Sequence, residues 1–176
     1  MFVKYNMKRL YISSVLFLLL MPFASGQSSL RISEQQFKEQ FLNSINARRA
    51  QGCKCGDSFM KAAAPLTWNT LLANAAREHA YDMYRNKYFN HKSKDGRSIE
   101  DRLVQAGYTY ENYESYAIGE NIAYNQQSIE EVLNGWFKSK EHCKNLMDPR
   151  FTEIGIAEHQ KYWVQDFGGR VKFDSN

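Results

Sequence analysis

The chain has 176 residues, and its 23 Lys and Arg against 19 Asp and Glu give a formal net charge of +4. Lys4, Lys8 and Arg9 lie in an N-terminal segment that reads as a cleaved export signal, which leaves the mature chain 20 basic against 19 acidic residues, a net charge of +1. That balance excludes a nucleic-acid partner held by bulk charge, and the remaining length suits one domain able to bury a core.

The signal is expected over residues 1–26. Leu10 to Phe23 is apolar apart from Ser13 and Ser14, and Pro22 with Ala24-Ser25-Gly26 marks a cleavage point before Gln27. The run is shorter than the ~18 apolar residues a membrane span asks for, so no transmembrane segment is expected after cleavage; an uncleaved anchor is the alternative. No cysteine follows the small residues, which argues against a lipid-modified N-terminus.

Residues 27–37 read as a polar linker and the start of a first helix. Phe37, Phe41, Leu42 and Ile45 recur at helical steps, with Ser33 as the cap. Residues 52–64 read as a loop carrying two cysteines. A second helix follows Asn69 or Thr70 as its cap, with Leu71, Leu72, Ala75, Ala76, Ala80 and Met83 as its apolar stripe. Asp95-Gly96 is a turn, and Ser98 with Asp101 is capping-box-like before a short helix that turns Ile99, Leu103 and Val104 inward. Residues 108–116 read as irregular surface, and Ser128 opens another helix bearing Ile129, Val132, Leu133 and Trp136. Two strand-like runs close the chain, at Ile154 to Ala157 and Tyr162 to Phe167, with Glu158 to Lys161 as a hairpin connection. Helices first and strands last, without β-α alternation, predict an α+β fold with an antiparallel sheet.

Two clusters carry candidate chemistry. One is Tyr88-Phe89-Asn90-His91; the other joins Gly119-Glu120-Asn121, placed at a chain bend, to the segment from Trp136 to His142. Two histidines and a carboxylate suit a divalent metal with an open position, or acid/base work, or no more than packed, hydrogen-bonded structural residues. His79, inside the second helix, reads as a structural histidine, and His159, in the hairpin, as solvated. Trp68, Trp136 and Trp163 read as core or wall anchors rather than a sugar platform. The tyrosines at 108, 110, 113 and 116 read as a contact surface or as solvated loop residues. Cys53, Cys55 and Cys143 predict at least one disulfide in an exported chain and one thiol left over. As a zinc set, C-x-C with one distant cysteine is poorly spaced.

At these residues the chain resembles a known family. In order stand Pro65-Leu66-x-Trp68-Asn69; His79-Ala80-x-Asp82-Met83; Tyr88-Phe89-x-His91; Asp95-Gly96; Arg102; Ala106-Gly107-Tyr108; and Gly119-Glu120-Asn121-Ile122-Ala123. Gly135-Trp136, Ser139-x-x-His142, Asn145-Leu146-Met147, Glu153-Ile154-Gly155-Ile156-Ala157 and Tyr162-Trp163-x-Gln165-Asp166-Phe167-Gly168 follow. The pattern is similar to that of the short bacterial CAP (SCP-like) domain over residues 38–169, with 170–176 as a tail. The resemblance implies a three-layer α-β-α sandwich around an antiparallel sheet, and a cleft lined by His91, Glu120 and His142. It also implies divalent-metal binding, with His91 and His142 as ligands for an ion such as Zn²⁺, or a small apolar ligand, lipid or envelope component as partner. Members with the full set of four cleft residues have a second glutamate where this chain has Ser139. Cys55 and Cys143 match a pair in one subgroup of these domains, which implies a Cys55–Cys143 disulfide with Cys53 as the extra thiol.

The function expected is that of a secreted or periplasmic, monomeric binding module. A hydrolase using His91 or His142 with Glu120, and a structural or defence-related protein with a vestigial cleft, are the alternatives. Enzymatic activity is left undecided: no Gly-x-Ser-x-Gly turn is present, and Cys143 would be a nucleophile beside His142 only if it were not in a disulfide.

Overall fold

Helix α1 (Glu34–Gln51) begins where the sequence places it, because Ser33 and Gln36 close a reciprocal capping box. The structure, a computed structural model, describes residues 32–173; the expected signal, its cleavage point and the linker to residue 31 lie outside the described residues. Phe41 and Ile45 of α1 are fully buried, with Phe37 and Leu42 packed beside them.

The expected loop after α1 instead contains a small hairpin, β1 (Cys53–Cys55) paired with β2 (Ser58–Met60). Next come a two-residue strand β3 (Thr67–Trp68) and α2 (Thr70–Asn86), whose Asn69 side chain accepts from the Leu71 and Leu72 amides. Helix α3 (Ile99–Gln105) carries the Ser98–Asp101 capping box. Val104, expected inward, is 42 % exposed, and Leu71 lies at the solvent edge of the α2 stripe.

The largest departure is β4 (Tyr113–Tyr124), twelve residues where the sequence suggested an irregular surface and then a bend. Glu120 therefore lies inside a strand. The pattern of Tyr, Asn and Glu has no clear period, but pairing with β6 (Tyr162–Lys172) overrides that weak local signal. Tyr108, also expected on the surface, is buried and donates its hydroxyl to Glu153. Helices α4 (Ile129–Lys138) and α5 (Lys140–Met147) meet at Ser139. Strand β5 (Glu153–His159) joins β6 through Gln160 and Lys161, both at positive φ, as a tight two-residue hairpin turn demands.

The main sheet runs β3-β5-β6-β4, antiparallel except for the short β3–β5 pair. One face carries Ile154, Ile156, Trp163 and Phe167 against α1, α4 and α5; the other carries Ile122, Ala157 and Val164 against α2. This is the three-layer α-β-α sandwich. The α2 stripe is mostly alanine because the helix sits close: a Cβ at Gly155 would come within 2.0 Å of the Ala73 amide nitrogen. Among the described residues no helix is long and apolar enough to cross a membrane.

Candidate functional site

Strand β4 lies at one edge of the sheet, and successive residues on a strand point to opposite faces. Glu120 faces the α2 layer and Asn121 faces α5. The site is therefore built from both sides of the β4 edge.

On the first side, His91 leaves the loop after α2 and sets Nδ1 2.7 Å from Glu120 Oε1. The His91 side chain is 58 % exposed, whereas that of Glu120 is 3 % exposed. The other Glu120 oxygen accepts from Arg102 of α3 at 2.6 Å, and the same guanidinium donates to the His91 carbonyl at 2.9 Å. Arg102 thus holds the carboxylate and the backbone of the histidine it faces. Burial pushes Glu120 up, but the His91 hydrogen bond and the charge of Arg102 outweigh it and hold Glu120 below its ordinary value. An ionised Glu120 makes His91 Nδ1 the donor and leaves Nε2 as the ring nitrogen that does not meet the carboxylate.

His79 is wholly buried on α2, and its Nε2 lies 3.0 Å from the Asn90 carbonyl. It anchors the backbone next to His91, which fits the structural reading. Burial, ahead of the other contributions, lowers its pKa and keeps it neutral.

On the second side, His142 sits half-buried on α5. Its carbonyl accepts from Asn121 Nδ2 at 3.2 Å, while Asn121 Oδ1 accepts from Asn145 at 2.8 Å. The buried Asn121 amide therefore pins α5 to the strand that carries Glu120. Burial, and then the charge of His91, lower the His142 pKa. His91, Glu120 and His142 do not close into a set of ligand atoms as tight as that of the cysteines, which all lie within 4.8 Å of one another. Glu141 supplies no second acid: its carboxylate is turned to Lys144 at 3.1 Å on the surface.

Helix α5 is held from behind as well. Cys143 is bonded to Cys55 with a Cα–Cα distance of 5.4 Å, and Cys53 is free. The fully buried Arg49 of α1 donates to the carbonyls of Ala64, Leu146, Asp148 and Phe151, at 2.7 to 3.1 Å. These contacts hold the end of α5 and the segment into β5.

Sequence reasoning missed Asp166. It stands on β6 directly opposite Glu120, is wholly buried, and no donor from another group reaches either of its oxygens. Burial, and then the Glu120 charge, raise its pKa well above the ordinary value, so Asp166 is the protonated member of the pair. Only strand register could have revealed it, and β4 was not legible as a strand. His159, expected in solvent, instead packs edge-on against Tyr81 and Tyr84, with ring centroids 5.2 and 5.0 Å away. A separate open groove of about 660 Å³ between α1 and α4, lined by Gln40, Ser44, Arg48, Leu133 and Phe137 among others, contains none of His91, Glu120 and His142.

The model of the cysteine-rich secretory protein family matches residues 42–167. The chain is 33 % identical over 141 residues to the uncharacterized protein YkwD of Bacillus subtilis, covering 78 % of this chain and 49 % of that protein. It is 36 % identical over 104 residues to the uncharacterized membrane protein YlbC of the same organism, covering 59 % of this chain and 29 % of that protein. The chain thus spans half or less of the curated relatives it matches. Among solved structures it is similar to an extracellular SCP-domain protein of Bacillus anthracis, with TM-score 0.63 and 26 % identity, over 79 % of this chain and 41 % of that one. It shares its fold with an outer surface protein of Borrelia burgdorferi, with TM-score 0.62 and 18 % identity, over 80 % of this chain and 96 % of that one. With the family model covering most of its length and the sandwich in place, this chain belongs to the cysteine-rich secretory protein (CAP) family.

Proposed function

We propose that the chain is an exported binding module whose His91/His142 site takes a divalent cation, Zn²⁺ first among them. The observation that carries this reading is the 2.7 Å contact between His91 Nδ1 and a Glu120 that is itself locked by Arg102. A buried carboxylate behind an exposed imidazole is the arrangement that orients a metal-binding histidine and raises its basicity. The donor set fits: Nε2 of His91 is not taken up by Glu120, and the depressed pKa of His142 keeps its ring neutral. Both Glu120 oxygens are already engaged, so Glu120 orients and does not ligate. When bound, the cation would supply Lewis acidity or a bridge to an anionic ligand group.

Two imidazoles without a second acid make a modest site, suited to reversible binding. Covalent catalysis by Cys143 does not enter this reading, because that sulfur is bonded to Cys55. Export is supported by the N-terminal sequence and by the extracellular and outer-surface proteins that share the fold.

The test is calorimetric titration of the disulfide-intact protein with Zn²⁺ at neutral pH, beside His91→Ala and His142→Ala. Saturable binding that both variants weaken supports the proposal. Binding unchanged in both puts the metal elsewhere, and no binding at millimolar Zn²⁺ removes the metal reading.

A further inference from the structure

The sulfur atoms of the chain gather at a second place. Cys53 and Cys55 are two residues apart on β1 and so share one face of the strand, which packs on α5. Cys143 lies on that helix, and Met147 follows four residues later on the same face. Met60, opposite Cys53 in the hairpin register, packs against the same cluster with Phe137. Cys55 and Cys143 are fully buried, while Cys53 is partly exposed and gives a way in.

The distances are those of a ligand shell. Cys53 Sγ lies 4.0 Å from Cys55 Sγ and 3.8 Å from Cys143 Sγ. Three sulfurs placed about 2.3 Å from a central ion stand about 4.0 Å apart along each edge of the triangle. Two of the three edges already have that length, and the third is closed as the disulfide. The spacing C-x-C plus one distant cysteine concealed this, because 88 positions separate Cys55 from Cys143.

We propose that, once the Cys55–Cys143 bond is reduced, Cys53, Cys55 and Cys143 form a three-thiolate site for a soft monovalent cation, Cu⁺. The donors favour that ion: all three ligand side chains offer sulfur, the side chains around them are apolar, and the thioethers of Met60 and Met147 line the cluster. Arg48, whose guanidinium lies 4.9 Å from the centre of the Phe137 ring, brings positive charge to the exposed side. The reduction balances with a dithiol as reductant. Its two thiols give up two electrons and two protons and close into their own disulfide; the Cys55–Cys143 bond takes the electrons and each sulfur takes a proton. Cu⁺ then displaces the three thiol protons into solvent. The site exists only in the reduced chain, so metal occupancy and disulfide are alternatives.

The experiment is titration of the protein with Cu⁺ in competition with bicinchoninate, without oxygen, before and after reduction by a phosphine. One equivalent taken up by the reduced protein, and none by the oxidised one, is the expected result. Cys53→Ser should weaken uptake on the order of tenfold or more. In the reduced parent protein, Cu⁺ should also shield Cys53 from iodoacetamide, a readout that needs no variant to fold. No uptake after reduction, equal uptake by the oxidised protein, unchanged uptake in Cys53→Ser, or an unshielded Cys53 each overturns the proposal.

Discussion

Glu120 and Asp166 stand directly opposite each other on β4 and β6, buried on the same face of the sheet, and they hold their protons differently. Arg102 and His91 keep Glu120 ionised, whereas Asp166, with no donor to either oxygen, keeps its proton. The two therefore act on stability with opposite sign. Glu120, with a depressed folded-state pKa, stabilises above its unfolded pKa and loses that contribution as pH falls through the folded one. Asp166, with a raised folded-state pKa, stabilises fully below its unfolded pKa, and that contribution is lost as pH rises toward the folded one.

Asp166→Asn should remove the second of these slopes. From about pH 4 upward, the unfolded parent chain ionises at Asp166 while the folded one does not, which costs as much as about 1.4 kcal/mol per pH unit. Urea unfolding at pH 5, 6 and 7 should show the variant gaining on the parent as pH rises. A difference that stays constant across that range would mean that Asp166 ionises like an exposed carboxyl.

Glu120→Gln keeps the size of the side chain but removes the charge that orients His91 and neutralises Arg102. Zn²⁺ affinity should fall by about 10- to 100-fold. Stability should drop by on the order of 3 kcal/mol, because Arg102 is left buried without its counter-ion. Calorimetry and urea unfolding of the same sample separate the two effects. Unaltered affinity would show that the His91–Glu120 contact is structural only.

Arg49→Met should destabilise by about 3 kcal/mol or more, since it strips charged donors from three carbonyls around the end of α5 and from that of Ala64. Arg49→Lys should rescue little: one ammonium cannot match a planar fork of donors. Chemical unfolding of both variants is the check, and near-full rescue by lysine would contradict this account.

Cys143→Ala removes the disulfide and should cost on the order of 4 kcal/mol, given the long loop the bond closes. Cys53→Ser should change oxidised stability by only about 0.5 kcal/mol. Comparing the two in urea without reductant tests whether Cys53 contributes to the oxidised fold. A large loss in Cys53→Ser would show that it does.

Much of this protein is legible in its sequence because the relevant signals are local. Ser33, Asn69, Ser98 and Ser128 reach amides only two or three residues ahead, so the helix starts can be read without knowing the fold. The β5–β6 runs announce themselves by composition, and the ordered motifs from Pro65 to Gly168 point to the family and to His91, Glu120 and His142 as the residues to watch.

Tertiary structure decided the remainder. Residues 113–124 become a strand only because β6 offers eleven register partners, and that pairing alone places Asp166 behind Glu120. Arg102 acquires its role when α3 docks beside the loop of His91, and Arg49 when its helix meets the end of α5. The alternation along β4 sends Glu120 and Asn121 to opposite faces, so the two histidines approach one edge from different layers. The sulfur cluster has the same origin, with Cys143 brought by packing to the face that Cys53 and Cys55 share. Caps and apolar stripes are set by neighbours within a turn and are written in the chain. Charge pairs, proton sharing and ligand shells join side chains tens of residues apart, and only the folded arrangement of the layers sets those distances.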